Sequence, residues 1–323
     1  MDKKLLVTGI DFLVEWCADY IKSAEFICTS DCSEENLCKR VVGCDGILSM
    51  QTMTYPITRK IVESGNKLKF IQSAGVGFEF IDLQAATENG VVVMNMPTGT
   101  TISVAEHTVG LILACSKNLI KGYQNIIKGK WRIFDLGVEL QGKVLGMIGF
   151  GKIGYEVAKR MAAFEMEIFV HDPFVKEEVI KDREWEQVDL MALLKESDIV
   201  TIHCPLTKET KGLIGENELS LMKKEAILIN TARGGIVDEG ALFKALSEGR
   251  IKGAGLDVYE NEPIGSDNPL LSLENVVLTP HMAVQTTDAV LRFMKQNGEQ
   301  VERALNGTYE NVLNPEVLEN RKK

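Results

Sequence analysis

The residues with the clearest chemical potential are a glycine turn and an acid. Gly149-Phe150-Gly151-Lys152-Ile153-Gly154 is followed, eighteen residues after its last glycine, by Asp172. Residues 143–148, before the turn, read as a buried strand. Residues 155–162, after it, lack Pro and Gly and read as a helix; residues 167–172 then read as a second strand ending in the carboxylate. Strand, glycine turn, helix, strand and acid in that order are the parts of a dinucleotide site. Gly149 permits the tight turn, Gly151 lets the backbone approach a pyrophosphate, and Gly154 lets the helix pack closely on the strand. The helix N-terminus presents N–H groups and the positive end of its dipole to the phosphates. Asp172 is then placed to accept hydrogen bonds from the adenosine ribose hydroxyls.

Only four histidines are available for acid–base work. His281 follows the apolar run Val276-Val277-Leu278-Thr279-Pro280, at the carboxyl end of an expected strand, where parallel sheets bind ligands. It is the candidate general base. His203 ends another apolar run and is expected to line the cofactor crevice without chemistry. His171 points to the face of its strand opposite Asp172 and reads as packing; His107 lies in an apolar helix and reads as a buried, satisfied side chain. Two more strand ends carry charge. Asn230-Thr231-Ala232-Arg233-Gly234-Gly235 delivers an arginine, whose planar fork suits a carboxylate. Asp257, Glu260 and Glu262 follow the next strand, and an acid beside His281 would raise its pKa and fix its tautomer.

The elements that must position these groups follow from periodicity. Residues 4–8, 26–29, 47–50, 68–72 and 91–95 read as short buried strands, with helical stretches at 12–21 and 57–63 among them. Strands alternating with helices imply a parallel sheet covered on both faces. Met96-Pro97-Thr98-Gly99 interrupts the pattern, and a long apolar helix is expected from Ser103 to about Gly122. A second alternating series has strands near Val144, Ile168, Ile199, Ile227, Gly253 and Val276, and an amphipathic helix spans residues 287–305. The fold class is therefore α/β, with two parallel-sheet domains of the Rossmann-like and flavodoxin-like kind and an active-site cleft expected between them. A chain of 323 residues is long enough for two cores.

Composition excludes several classes. A net charge of −10 disfavours nucleic-acid or anionic-membrane surfaces, which need basic patches. The most apolar stretch, residues 109–115, is too short to span a bilayer. The amino terminus lacks a secretory pattern, so a cytoplasmic location is expected. Cys28, Cys32, Cys38 and Cys44 cluster but lack CxxC spacing and a nearby His, so they read as reduced thiols and no metal is expected.

Taken together, the glycine turn with Asp172, Asn230 to Asp238, Asp257 to Pro263 and Thr279-Pro280-His281 resemble the D-isomer-specific 2-hydroxyacid dehydrogenases over essentially the whole chain. The resemblance implies hydride transfer between NAD(H) and a small 2-hydroxy or 2-keto acid, with Arg233, Glu262 and His281 catalytic. Cofactor contacts are implied at Gly149, Gly151, Lys152, Ile153, Gly154 and Asp172. Further ones are implied at Cys204, Thr231, Arg233, Asp257 and His281, with Asp257 near the nicotinamide. Ser73-Ala74-Gly75-Val76-Gly77 resembles the loop whose amides, those of Val76 and Gly77, hold the substrate carboxylate beside Arg233. The family likeness also implies a discontinuous substrate domain, residues 1–98 plus 288–323, an NAD-binding domain, residues 99–287, and a homodimer formed through the helix beginning near Ser103 and residues 131–139.

Within the family, residues 230–242 are closest to phosphoglycerate dehydrogenases. That group usually carries an arginine after the third strand, where this chain has Leu48-Ser49-Met50-Gln51-Thr52. Ser73 and Met282-Ala283-Val284-Gln285 depart as well, and no regulatory domain is expected. A small unphosphorylated acid, such as hydroxypyruvate or glyoxylate, is at least as good an expectation as a phosphorylated one. Two alternatives share the fold: an NAD-sensing, corepressor-like binding protein, and a formate- or phosphite-type dehydrogenase.

Overall fold

Two parallel β-sheets organise the chain in a computed structural model that describes residues 2–9, 19–49, 55–131, 136–181 and 184–320. The backbone divides into one unit of Met1–Thr100 with Thr286–Lys323 and another of Thr101–Gln285. Most of the helix expected at 12–21, together with Met50, Gln51 and Thr52 and residues 132–135, lies outside the described residues.

In the first unit, β1 (Lys3–Thr8), β2 (Ala24–Thr29), β3 (Gly46–Ser49), β4 (Phe70–Ser73) and β5 (Val92–Met94) run in the order β2-β1-β3-β4-β5, all parallel. Alternate residues enter two cores. Leu6, Ile47, Ile71 and Val93 pack on one face, and Leu5, Leu48, Phe70 and Val92 on the other. Burial on both faces is why these strands read as nearly continuous apolar runs. The helix Thr287–Leu305 joins the second core through Met294, Val301, Ala304 and Leu305. It starts at Thr286, whose hydroxyl accepts the Ala289 amide at 3.2 Å, and it ends before Gly307, at φ 90°.

In the second unit, β6 (Val144–Ile148), β7 (Glu167–His171), β8 (Glu186–Gln187), β9 (Ile199–Ile202), β10 (Ile227–Asn230), β11 (Gly253–Leu256) and β12 (Val276–Leu278) form the order β12-β11-β10-β9-β6-β7-β8. The edge strand β8 has two residues, too few to leave a periodic trace in the sequence. The strand order reverses between β6 and β9, the topological switch point at which such sheets bind ligands.

The single helix expected from Ser103 to Gly122 is instead two, Thr101–Ser116 and Leu119–Ile127. Asn118 sits between them in the left-handed region, at φ 52°, which Asn tolerates better than most residues. The Ser116 carbonyl is taken by the Val138 amide at 2.7 Å, so the helical ladder is interrupted by a partner that periodicity does not reveal. Among the described residues no helix is long and apolar enough to cross a membrane, and no group of His, Cys, Asp and Glu is arranged to hold a metal ion.

Candidate active site

The glycine turn closes the carboxyl end of β6 at the switch point. Gly149 has φ 91°, and a Cβ there would lie 2.5 Å from the Cys204 nitrogen, so the turn is pressed against the segment leaving β9. At Gly154 a Cβ would lie 2.7 Å from the Gly149 carbonyl oxygen, which makes the close helix–strand packing depend on glycine. Gly151 is the opposite case. A Cβ there meets no atom within 4 Å, and the residue heads the helix Lys152–Ala162 without a side-chain cap. Its open side and the uncapped helix start fit a pyrophosphate. Asp172 accepts the Phe150 amide at 2.7 Å through Oδ2 and the Phe174 amide at 2.9 Å through Oδ1. It therefore braces the turn while its remaining lone pairs stay available for ribose hydroxyls. Lys152 is exposed and Ile153 half-buried. Burial pushes the Cys204 thiol up to about 11, so it stays protonated at neutral pH. Burial also pushes His203 down to about 3; it is neutral, with Nε2 3.0 Å from the Thr201 hydroxyl.

The loops after β11 and β12 bring the acids to His281. Nδ1 of His281 lies 2.6 Å from Oε2 of Glu262, whose Oε1 accepts the Tyr259 amide at 3.0 Å. The Glu262 hydrogen bond raises the His281 pKa against the effect of burial, helped by the charges of Glu262 and Asp257 and opposed by Arg233. Burial would raise the Glu262 carboxyl, but the hydrogen bond and charge of His281, the Tyr259 amide and the Arg233 charge outweigh it. Glu262 is held below its ordinary value. His281 itself adopts φ 51°, and its amide donates to the Asp257 carbonyl at 2.9 Å. A left-handed histidine costs about 1–3 kcal/mol and persists only where its surroundings enforce it.

Asp257 supplies that enforcement. Its side chain is buried, and it accepts the Thr279 hydroxyl at 2.6 Å and the Met282 and Ala283 amides at 2.9 and 3.0 Å. Burial opposes its ionisation, but these donors together with His107 lower its pKa. The carboxylate expected beside the nicotinamide is thus occupied in clamping residues 279–283 around His281. His107, expected to be merely buried and satisfied, belongs to the same cluster. Its Nε2 lies 3.0 Å from the Thr279 oxygen and 3.4 Å from Asp257 Oδ1. Because Thr279 donates its proton to Asp257, the His107 Nε2 must carry the N–H. The third acid, Glu260, acts elsewhere. It accepts the Glu239 amide while Glu239 accepts that of Glu260, tying the loop to the start of the preceding helix, Glu239–Ser247.

Arg233 is set by its own turn. Asn230 Nδ2 donates to the Arg233 carbonyl and Asn230 Oδ1 accepts the Ala232 amide, both at 3.0 Å. A Cβ on Gly234 would fall 1.7 Å from the Tyr259 carbonyl oxygen, so the arginine turn rests directly on the backbone that leads to Glu262. The Thr231 hydroxyl is buried 2.8 Å from that of Thr108 and faces the helix Thr101–Ser116. The structure thus gathers Arg233, Asp257, Glu262, His281 and, unforeseen, His107 on strand ends and a helix of the second unit. Val76 and Gly77 belong to the first unit, in the loop after β4. Their amides donate to no hydrogen bond among the described residues.

Residues 109–283 match the model for the NAD-binding domain of the D-isomer-specific 2-hydroxyacid dehydrogenases. The chain is 44% identical over 285 residues to a D-3-phosphoglycerate dehydrogenase of Methanocaldococcus jannaschii, covering 87% of this chain and 54% of that protein. It is 39% identical over 295 residues to a glyoxylate reductase of Korarchaeum cryptofilum, covering 90% and 88%. Among solved structures, an NAD-dependent formate dehydrogenase from Staphylococcus aureus in complex with NAD superposes with a TM-score of 0.85 at 31% identity, covering 96% of this chain and 98% of the other. The chain spans about half the length of the phosphoglycerate dehydrogenases it matches. The matched domain and the relatives matched along most of both chains agree: the chain belongs to the D-isomer-specific 2-hydroxyacid dehydrogenase family.

Proposed function

We propose that the chain is an NAD(H)-dependent D-2-hydroxyacid dehydrogenase acting on a small unphosphorylated substrate of the hydroxypyruvate or glyoxylate class. The observation that carries this reading is the His281–Glu262 pair at 2.6 Å on the sheet end that also bears Arg233 and the glycine turn. Gly149, Gly151, Gly154 and the first turn of the helix Lys152–Ala162 would hold the dinucleotide's phosphates, and Asp172 its ribose. When bound, NAD(H) accepts or supplies a hydride at C2 of the substrate.

The chain's own residues do the rest. Arg233 binds the carboxylate with its fork, and the amides of Val76 and Gly77 serve as further donors to it. His281, with Nδ1 held by Glu262, offers Nε2 to the substrate oxygen. It takes the hydroxyl proton in oxidation and returns it in reduction. Glu262 stabilises the imidazolium that exists between those events. Asp257 and His107 hold the loop that aims the ring, supplying orientation rather than protons.

A homodimer completes the reading. The helix Leu119–Ile127 buries none of its residues and exposes Leu119, Ile120, Tyr123, Ile126 and Ile127 along one stripe. A second copy of the chain would cover it, and Ile127→Glu should then yield a monomer by light scattering. Cys32, Cys38, Cys44, Cys115 and Cys204 are free thiols, which supports a reducing, cytoplasmic setting. The deciding experiment is an NADH-oxidation screen over glyoxylate, hydroxypyruvate, pyruvate, 2-ketoisocaproate and phosphohydroxypyruvate. Turnover of any of them excludes a purely NAD-sensing role; inertness toward all of them, with formate or phosphite oxidised instead, overturns the proposal.

A further inference from the structure

Five consecutive carbonyls in the first unit are captured from the inside. Ser73 O accepts from Gln72 Nε2 at 2.7 Å, Ala74 O from Asn297 Nδ2 at 2.9 Å, and Gly75 O from the Met96 amide at 2.9 Å. Val76 O accepts from Asn95 Nδ2 at 2.8 Å and Gly77 O from the Ser73 hydroxyl at 2.6 Å. In a planar trans peptide the N–H points opposite to the C=O. Fixing the carbonyls of Gly75 and Val76 inward therefore fixes the N–H groups of Val76 and Gly77 outward, where they donate to nothing among the described residues.

The donors are themselves locked. Gln72, Ser73, Asn297 and Gln300 are essentially inaccessible. Gln300 Nε2 donates to Gln72 Oε1 at 2.8 Å, Gln72 Nε2 also reaches Asn297 Oδ1 at 3.1 Å, and Asn311 Nδ2 donates to Gln300 Oε1 at 2.9 Å. A buried amide chain of this kind is costly unless every member is satisfied, and when satisfied it specifies a single geometry. Asn297 and Gln300 come from the helix Thr287–Leu305, more than two hundred residues from the loop they serve.

We infer that Asn95, which holds the peptide carrying the Gly77 N–H, is a positioning residue, and that Ser73 and Asn297, backed by Gln72 and Gln300, brace the peptides on either side, so that the Val76 and Gly77 amides are preset as an anion site for the substrate carboxylate. This rests on the reading that the loop holds that carboxylate. Losing one carbonyl's partner frees its peptide to rotate, so the effect falls on substrate binding more than on the chemical step.

The test is steady-state NADH oxidation by the full chain with hydroxypyruvate or glyoxylate, and inhibition by oxalate, for Asn95→Ala, Ser73→Ala and Val76→Pro. Asn95→Ala, which frees the peptide of the Gly77 N–H, should raise the keto-acid KM and the oxalate inhibition constant by about five- to twentyfold, the loss of one ordinary hydrogen bond or slightly more, and Ser73→Ala, which frees only the flanking peptide, should raise them less. kcat should fall by less than KM rises, and the KM for NADH should hold. If Val76→Pro, which deletes an amide donor, raises the keto-acid KM while Asn95→Ala does not, the inference is wrong and the reading of the loop survives. If Val76→Pro also leaves KM unmoved, the loop is not the carboxylate site and both fall. Should Asn95→Ala fail to fold, Asn95→Asp decides in its place, since it keeps the size but replaces the NH2 donor with an acceptor.

Discussion

Nδ1 of His281 and Oε2 of Glu262 stand 2.6 Å apart, so the imidazole has one nitrogen committed to a carboxylate and one left to face a substrate. The pair is fixed from both sides. Glu262 is anchored by the Tyr259 amide, and His281 by the clamp of Asp257 on residues 279–283. The proposed acid–base group is therefore held in position, tautomer and charge preference by Glu262, the Tyr259 amide and Asp257.

A pH dependence follows with a definite sign. Reduction of a keto acid requires His281 protonated, and Glu262 raises its pKa, so the reductive rate should persist above the pH expected of an isolated histidine. Glu262→Gln keeps the shape but removes the charge. The alkaline limb of kcat/KM for the keto acid should move to lower pH, and the acidic limb of the oxidative reaction should move the same way. A pH profile that does not shift in Glu262→Gln removes Glu262 as the partner of His281. His281→Ala should lower kcat by about 10² to 10⁴ while NADH binding survives, as measured by fluorescence titration.

Gly234 offers a structural test of the same machinery. A Cβ there would meet the Tyr259 carbonyl oxygen at 1.7 Å and its carbon at 2.0 Å, so backbone must yield to backbone. Either the arginine turn or the segment to Glu262 has to move. A misplacement of about 1 Å can cost on the order of a hundredfold in rate. Gly234→Ala should therefore lose about that factor in kcat/KM and several degrees of Tm. Gly235→Ala is the control: its Cβ would meet only Leu206 Cδ1 at 4.0 Å, leaving the φ of 73° as its cost, about 1–2 kcal/mol. Equal losses of activity in the two variants would show that the contact with Tyr259 does not govern the site.

The parts legible in sequence are those written locally. Gly149, Gly154 and Asp172 lie within one strand–turn–helix–strand unit, and the alternating apolar runs disclose two parallel sheets because strands buried on both faces carry no competing pattern. The unforeseen parts are contacts of long sequence separation between residues whose types are individually unremarkable. His107 meets Thr279 across 172 positions, and Asn297 meets Ala74 across 223. The break at Asn118 depends on a hydrogen bond from Val138. Nothing in the composition of those segments marks such partners; only the fold brings them together.

Cofactor choice should favour NADH. Asp172 is pinned at the end of β7 by two backbone amides, and Pro173, Phe174 and Val175 after it bring no cation. An added 2′-phosphate would sit against that carboxylate. Like charges at contact cost about 4 kcal/mol at an effective dielectric near 20, and screening to a third of that still leaves about tenfold. Comparison of kcat/KM for NADH and NADPH checks this, and equal values would contradict it. Asp172→Ala should narrow the ratio while also raising the KM for NADH, because the Phe150 and Phe174 amides lose their acceptor.

Substrate charge gives the sharpest discrimination. Residues 48–52 contain no arginine, and Ser73 is occupied with the Gly77 carbonyl. Of the cations that precede the loop, Lys69 and Arg59 are already paired, and Lys67 is exposed ahead of β4. Lys69 Nζ lies 2.8 Å from Asp45 Oδ1, and Arg59 lies 2.6 Å from Glu88. Lys69 also precedes β4 at its amino end, whereas the loop of Val76 follows the carboxyl end. At roughly 3.3 Å per residue the strand separates them by about 15 Å. A phosphate brought near that loop would find no charge-assisted partner from these residues and would lose a few kcal/mol relative to a clamped one. Hydroxypyruvate or glyoxylate should therefore be reduced with a higher kcat/KM than phosphohydroxypyruvate. The reverse order, measured under the same conditions, would mean that a cation from elsewhere completes the pocket, and the assignment to unphosphorylated acids would have to be abandoned.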